Sequence, residues 1–183
     1  NPLSFVYGTD TIRVVRSNAL NVAASVVNVK CNSANDGSFT INPIGGTGPF
    51  QYSIDGGLTF QSSPTFSGLA GGTFNVKIKD IGSACIKDTS ILITEPTALN
   101  LSASSVNATC SVTPNGTITV NGSGGVPGYN YSLDGITFQA SGIFTVTAGA
   151  YTVTVKDANN CTKAIPVTVE LTNDLSLQIT RSD

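Results

Sequence analysis

The sequence predicts an all-β chain, two similar antiparallel β-sandwiches set one after the other. Three observations carry this. One stretch occurs twice, as Phe74-Asn-Val-Lys-Ile-Lys-Asp-Ile-Gly-Ser-Ala-Cys85 and as Tyr151-Thr-Val-Thr-Val-Lys-Asp-Ala-Asn-Asn-Cys161. Within each copy the apolar side chains alternate, Phe74, Val76, Ile78 and Tyr151, Val153, Val155, the period of a strand with one buried face. Turn-forming Gly, Pro, Asn and Asp then punctuate the chain at short intervals, and no long segment keeps a helical period.

The two copies align the rest of the chain. Cys31 recurs at Cys110, Gly46 at Gly125, Tyr52 at Tyr131 and Asp55 at Asp134, an offset of 79 in each case. The offset shortens to 78 at Phe60 and Phe138, 77 at Asp80 and Asp157, and 76 at Cys85 and Cys161. Each lost residue falls in a turn, because a slip inside a strand would turn its faces inside out. The expected organisation is a tail of a preceding unit at 1–19, a first unit at 20–97, a second at 98–171, and the start of another at 172–183. The chain then reads as an excerpt from an array of similar modules.

In order, Leu20 to Val29 begins apolar on even positions and ends on odd ones, at Val27 and Val29. The second copy changes phase at the same place, between Ala103 and Val106. Such a shift predicts a bulge, or a first strand that crosses from one sheet to the other. Asp36-Gly37 and Asn115-Gly116 open the next strands, Phe39 to Ile44 and Ile118 to Val120. The runs Gly45-Gly-Thr-Gly-Pro49 and Gly124-Gly-Val-Pro-Gly128 break the chain before Phe50 to Ile54 and Tyr129 to Leu133. Asp55-Gly56 and Asp134-Gly135 give hairpin signals. Asp80 and Asp157 end the strands of the repeated stretch in turns that close on a cysteine. Six or seven short strands of this kind per unit predict a sandwich of immunoglobulin type.

The run Gly45-Gly-Thr-Gly-Pro-Phe-Gln-Tyr-Ser-Ile-Asp-Gly56, followed by Gly68-Leu-Ala-Gly-Gly-Thr-Phe74 and the strand-Asp-turn-Cys element, resembles the SprB repeat. The second unit matches more closely, with Gly149-Ala-Tyr-Thr-Val-Thr-Val-Lys-Asp-Ala-Asn-Asn-Cys161; Ile54 and Leu133 stand where many members carry Trp. The resemblance implies a PKD-like, immunoglobulin-like module of the large surface adhesins of gliding Bacteroidota. It therefore implies export to the cell surface and a structural role in attachment and gliding motility, as a stalk or a repeated adhesive surface. The expected partners are neighbouring repeats of the same chain, and surface polysaccharide or substratum. A carbohydrate-binding module array is the alternative reading. The short connection Ile93-Thr-Glu-Pro-Thr-Ala-Leu99 contains Pro96 and predicts a stiff linker.

Composition narrows the function classes. Net charge is −2 with nine scattered Lys and Arg, which argues against phosphate neutralisation and hence against nucleic acid as a partner. His, Met and Trp are absent, so no Ser-His or Cys-His nucleophile pair and no imidazole metal site can form. No apolar run approaches the length of a membrane span, and the lack of an initiator Met or signal peptide reads as cuts within a longer chain. No catalytic residues, cofactor or enzymatic activity are expected.

Two cysteines per unit without histidine point to disulfides in an oxidising compartment. The simplest pairing is within each unit, Cys31 with Cys85 and Cys110 with Cys161, at separations of 54 and 51. Tension would then bypass about 180 Å of chain in the first unit, at about 3.4 Å per residue. Strand parity opposes that pairing, since the turn after the first strand and the turn before the last fall at opposite ends of an up-and-down order. A bond between units, such as Cys31 to Cys161, is the alternative. Asp36, Asp80 and Asp157, with Asn32, Asn115 and Asn159, are the residues from which a Ca²⁺ site would be drawn; the simpler reading is that they serve turns. Tyr52, Phe60, Tyr131 and Phe138 would supply a sugar-stacking platform if exposed, and core packing if not.

Overall fold

The computed structural model describes residues 3–7, 10–14, 19–109 and 113–172. Every named element among them is a β-strand. β1 (Leu3–Tyr7) and β2 (Asp10–Val14) form a two-stranded antiparallel sheet in the stretch expected to be the tail of a preceding unit. The chain groups into two compact units, the first of which takes in β1 and β2. One takes the chain up to Val29 together with Ala34–Thr94; the other takes Lys30–Ser33 together with the chain from Glu95 onward.

The first unit contains β3 (Asn21–Val27), β4 (Gly37–Ile44), β5 (Phe50–Ser53), β6 (Thr65–Leu69), β7 (Gly72–Asp80) and β8 (Ile86–Ile93). They form two three-stranded antiparallel sheets, ordered β3-β4-β6 and β5-β7-β8. This is an immunoglobulin-like sandwich in which the chain changes sheet between β4 and β5, between β5 and β6, and between β6 and β7. Alternation places Phe39 and Ile41 of β4 inward against Tyr52, Val76, Ile78, Ile91 and Ile93 of the facing sheet. Each such side chain, once fully buried, contributes about 1.5–3 kcal/mol. Phe39 is the aromatic centre, its ring 5.4 Å from Phe66 and 5.7 Å from Phe74, tilted in both pairs. The rings meet in the tilted geometry that aromatic quadrupoles favour.

Gly37 has a reason beyond turn chemistry. A β-carbon there would stand 2.8 Å from the Leu69 carbonyl oxygen and about as close to Ile93 and Val29. The position is buried and opens β4 in the core, so glycine is what lets the neighbouring backbone approach. Gly116 is boxed in the same way by Val169, Val106 and Val146.

The phase change at the end of the first strand is a crossing between sheets. β3 pairs with β4 in register from Asn21 to Val27 without a bulge. The chain then leaves that sheet, and the Val29 amide donates to the Thr94 carbonyl at 3.0 Å, just beyond β8 of the other sheet. Val29 thereby becomes a core residue, 4% exposed.

The second unit repeats this plan with β9 (Asn100–Val106), β10 (Gly116–Ser123), β11 (Asn130–Ser132), β12 (Ile143–Val146), β13 (Gly149–Lys156) and β14 (Thr162–Val169). Its sheets are β9-β10-β12 and β11-β13-β14. The core is built from Ile118, Val120, Tyr131, Val146, Val153, Val155 and Val169. Ala108 repeats the role of Val29: its amide donates to the Glu170 carbonyl, and its own carbonyl accepts from the Thr172 amide.

Strand parity sets which loops share an end. β3 and β6 run one way, β4 and β7 the other, because each of these neighbours is antiparallel or joined by the tight Leu69–Gly72 connection. The exits of β3 and β8 therefore lie at one end of the first sandwich, and the exits of β4 and β7 at the other. The second sandwich has the same two ends.

Candidate functional site

Three repeated loop features bring the polar side chains of each unit together. The first is the aspartate that ends the long inner strand. Phe74, Val76, Ile78 and Asp80 lie on one face of β7, so the period that buries the apolar residues buries the carboxylate as well. Asp80 is fully buried and accepts from four groups. The Thr47 amide lies 2.8 Å from Oδ2 and the Thr47 hydroxyl 3.1 Å from Oδ1. The Ser83 hydroxyl is 2.7 Å from Oδ2 and the Gly82 amide 3.1 Å from Oδ1. The Ser83 hydroxyl, followed by the Thr47 amide, holds the Asp80 carboxyl down at about 2. This one side chain ties the β4–β5 loop to the β7–β8 loop.

Asp157 does the same in the second unit. Its Oδ2 accepts from the Val126 amide at 2.9 Å, and its Oδ1 from the Asn159 and Cys161 amides, both at 2.9 Å. Glycine is required beside both carboxylates. Gly46 and Gly125 have φ of +77° and +57°, and a β-carbon on Gly46 would stand 2.9 Å from Asp80 Oδ2.

The second feature is the loop after β5 and β11. Asp55 accepts from the Ser53 hydroxyl at 2.6 Å and from the Leu58 and Thr59 amides at 3.0 Å. Asp134 accepts from the Ser132 hydroxyl at 2.7 Å and from the Ile136 and Thr137 amides at 2.8 and 2.7 Å. These donors push both carboxyls far below the usual range, with Ser53 and Ser132 the largest contributors. What the loops hold outward is apolar: Leu58 is 86% exposed and Ile136 is 85% exposed. Each loop closes on a single bridge, Tyr52 to Gln61 and Tyr131 to Gln139, in place of a continuous hairpin.

The aromatic residues divide. Tyr52 and Tyr131 are core residues. Phe60 and Phe138 are half-buried and face lysines, Lys79 Nζ at 6.0 Å and Lys156 Nζ at 4.1 Å from the ring centroids. Ile54 and Leu133, at the positions where tryptophan is common in the resembled family, pack against the two cores.

The calcium candidates are not brought together. Asp36 precedes β4 and Asp80 ends β7, which places them at opposite ends of the first sandwich. Asp80 and Asp157 point their oxygens at N–H and O–H donors, whereas a cation needs converging lone pairs. Asn115 bonds Thr109 through both side-chain atoms. Among the described residues no group of three His, Cys, Asp or Glu side chains gathers as a metal site would require.

The third feature, the cysteine loops, corrects the simplest pairing. The disulfide joins Cys31 to Cys161, with Cα atoms 5.7 Å apart and a sequence separation of 130. Cys85 is unbonded and exposed, so the expected Cys31–Cys85 and Cys110–Cys161 bonds are both replaced. Cys110 itself lies outside the described residues, as does most of the start of another unit expected from 172. The reason is the parity argument. Thr65–Leu69 is a full crossing, β6, so the loop after β3 and the loop after β7 fall at opposite ends of the sandwich. Lys30–Ser33 groups with the second compact unit. There the Lys30 carbonyl accepts from Asn159 Nδ2 at 2.8 Å, and Asn32 Nδ2 donates to the Pro96 carbonyl at 3.0 Å. The Ser33 amide adds a bond to Glu95 at 3.2 Å.

Comparison with known proteins agrees with the duplicated plan. The model of the SprB repeat matches twice, over residues 23–59 and 102–138. No match is found among the curated proteins. Similar solved structures include the three N-terminal domains of the bacteriophage RB49 highly immunogenic outer capsid protein, at 14% identity and a TM-score of 0.44. A C-terminal 282-residue fragment of intimin, solved with the intimin-binding domain of its translocated receptor, shows 15% identity and a TM-score of 0.40. Extracellular domains 3–5 of Drosophila OTK show 12% identity and a TM-score of 0.35. The alignments cover 84%, 80% and 88% of this chain but 59%, 64% and 64% of those chains. At these scores they carry no argument about function. Each stretch that the SprB repeat model matches, 23–59 and 102–138, runs from the first strand of a sandwich to the aspartate-held loop.

Proposed function

We propose that this chain is a structural repeat segment of a large secreted cell-surface adhesin. It serves in attachment and gliding motility as a stiff stalk or as a repeated adhesive surface. The observation that carries the reading is the SprB repeat matched at two places, each within a sandwich of the same plan. The polar groups of both units are committed to holding loops: Asp80, Asp157, Asp55 and Asp134 each satisfy several backbone or hydroxyl donors. Side chains used in this way support building material more than a reaction centre. No helix among the described residues is long and apolar enough to cross a membrane, and the reading places the segment outside the cell. The neighbouring repeats of the same chain are its nearest partners, with surface polysaccharide or substratum beyond them.

Two facts favour this over a carbohydrate-binding array. Tyr52 and Tyr131 are core residues, and lysines lie near the half-buried faces of Phe60 and Phe138. Sugar stacking needs an open aromatic face. The most exposed large hydrophobic side chains among the described residues are aliphatic instead, Leu58 and Ile136. The test is titration of the isolated 183-residue segment with surface polysaccharide, alongside small-angle scattering. An elongated particle without saturable glycan binding is the expected result. Saturable micromolar binding to a defined glycan would overturn the spacer reading in favour of the binding module.

A further inference from the structure

Cys85 and Cys161 occupy one structural position in two repeats. Each ends the loop after the long inner strand, and its carbonyl accepts from the aspartate that begins the loop, Asp80 at 2.8 Å and Asp157 at 3.0 Å. The residue before each cysteine is left-handed, Ala84 at φ 58° and Asn160 at φ 65°. The second copy shows what this position bonds. Cys161 is joined to Cys31, which lies in the loop after the first strand of the repeat that precedes it in the chain. Cys85 has the same backbone setting and an exposed thiol. Its own repeat offers no partner, because the loop after β3 lies at the other end of that sandwich.

We propose that Cys85 forms the equivalent disulfide with a cysteine in the first-strand loop of the SprB repeat that precedes its own, so that such bonds link successive repeats along an array. This rests on the reading of the chain as part of an array. Each linkage joins two thiols in one S–S bond and releases two protons and two electrons. A protein-borne or low-molecular-weight disulfide accepts them and leaves as two thiols. The exposed Cys85 sulfur is open to that exchange.

The test is disulfide mapping of the full-length parent protein, taken from its host without reductant and with free thiols alkylated at once. Peptides are then identified before and after reduction. The expected result is a Cys85 peptide linked to a cysteine in the first-strand loop of the repeat that precedes its own, with the alkylated form reduced to about a tenth or less of the total. The Cys31–Cys161 linkage serves as the internal standard. Alkylated Cys85 as the main form, or Cys85 linked to Cys31 of its own repeat or to Cys110 of the repeat that follows, would overturn the proposal. The number of repeats in the parent sequence tests the array separately: a long array with a free Cys85 sinks the linkage alone, and a parent without further repeats sinks both.

Discussion

Reduction of the Cys31–Cys161 bond changes how much chain is released when the molecule is pulled from its two ends. With the bond intact, force entering at the N-terminus passes from residue 31 to residue 161 through sulfur, and the 130-residue separation stays out of the load path. That loop includes β4 through β13. At about 3.4 Å per residue it stores about 440 Å of contour length. The anchoring Cα atoms are only 5.7 Å apart, so almost all of that length is newly released once the bond is broken. Loop closure of this size restricts the unfolded chain by up to about 5 kcal/mol. The assay is single-molecule force extension of the segment between terminal handles, with and without reductant, and with Cys31→Ser as a bond-free control. The reduced chain and the variant should both show a total release about 440 Å longer than the oxidised chain. Bonds confined to each unit would instead add two separate increments of about 180 Å or less. Equal release with and without reductant, or that pair of smaller increments, would refute the reasoning.

Acid should loosen the first sandwich from its Asp80 end. The folded-state pKa of Asp80, about 2, lies below the ordinary value of 3.8, so its contribution is fully present above pH 4 and is lost as pH falls from there toward 2. Circular dichroism along an acid titration checks this, and Asp80→Asn should flatten the transition in that window. Gly46→Ala and Gly125→Ala each force a side chain into the left-handed region against a buried carboxylate; a loss of about 1–3 kcal/mol is expected in urea unfolding. Ile78→Ala removes a fully buried side chain from the first core and should cost about 2–5 kcal/mol. Leu58→Ser and Ile136→Ser touch exposed tips and should stay within about 0.5 kcal/mol of the parent by the same measurement.

Much of the fold was legible because a strand declares its faces every second residue. Val76 and Ile78, like Val153 and Val155, are inward where alternation put them. The phase change before Val29 was a true signal of a strand that crosses between sheets, and the paired Ala108 shows the same event. The role of Asp80 and Asp157 was missed although its signal was present. Both stand on the apolar phase of their strands, and a carboxylate on that phase must be either ruinous or fully bonded. Reading them as ordinary turn residues overlooked the step from Ile78 to Asp80. Gly37 was likewise read as half of a turn pair, and only the distance to Leu69 reveals that it opens the core. Cysteine pairing failed for another reason. Nearness in sequence favoured Cys31 with Cys85, while strand parity opposed it, and parity is the physical constraint because a sandwich separates alternate loops by its full length. Nothing in the sequence singles out Leu58 and Ile136, because exposure depends on where the Asp55 and Asp134 networks aim the loop.

The sulfur staple also decides what a protease can accomplish. Any single cut between residues 32 and 160, including one in the Pro96 connection, leaves both fragments on one covalent thread while Cys31 holds Cys161. A nicked segment would run at full mass on a non-reducing gel and fall into pieces only after thiol treatment. On the proposed reading as a surface adhesin segment, damage to an exposed loop then does not detach whatever lies beyond it.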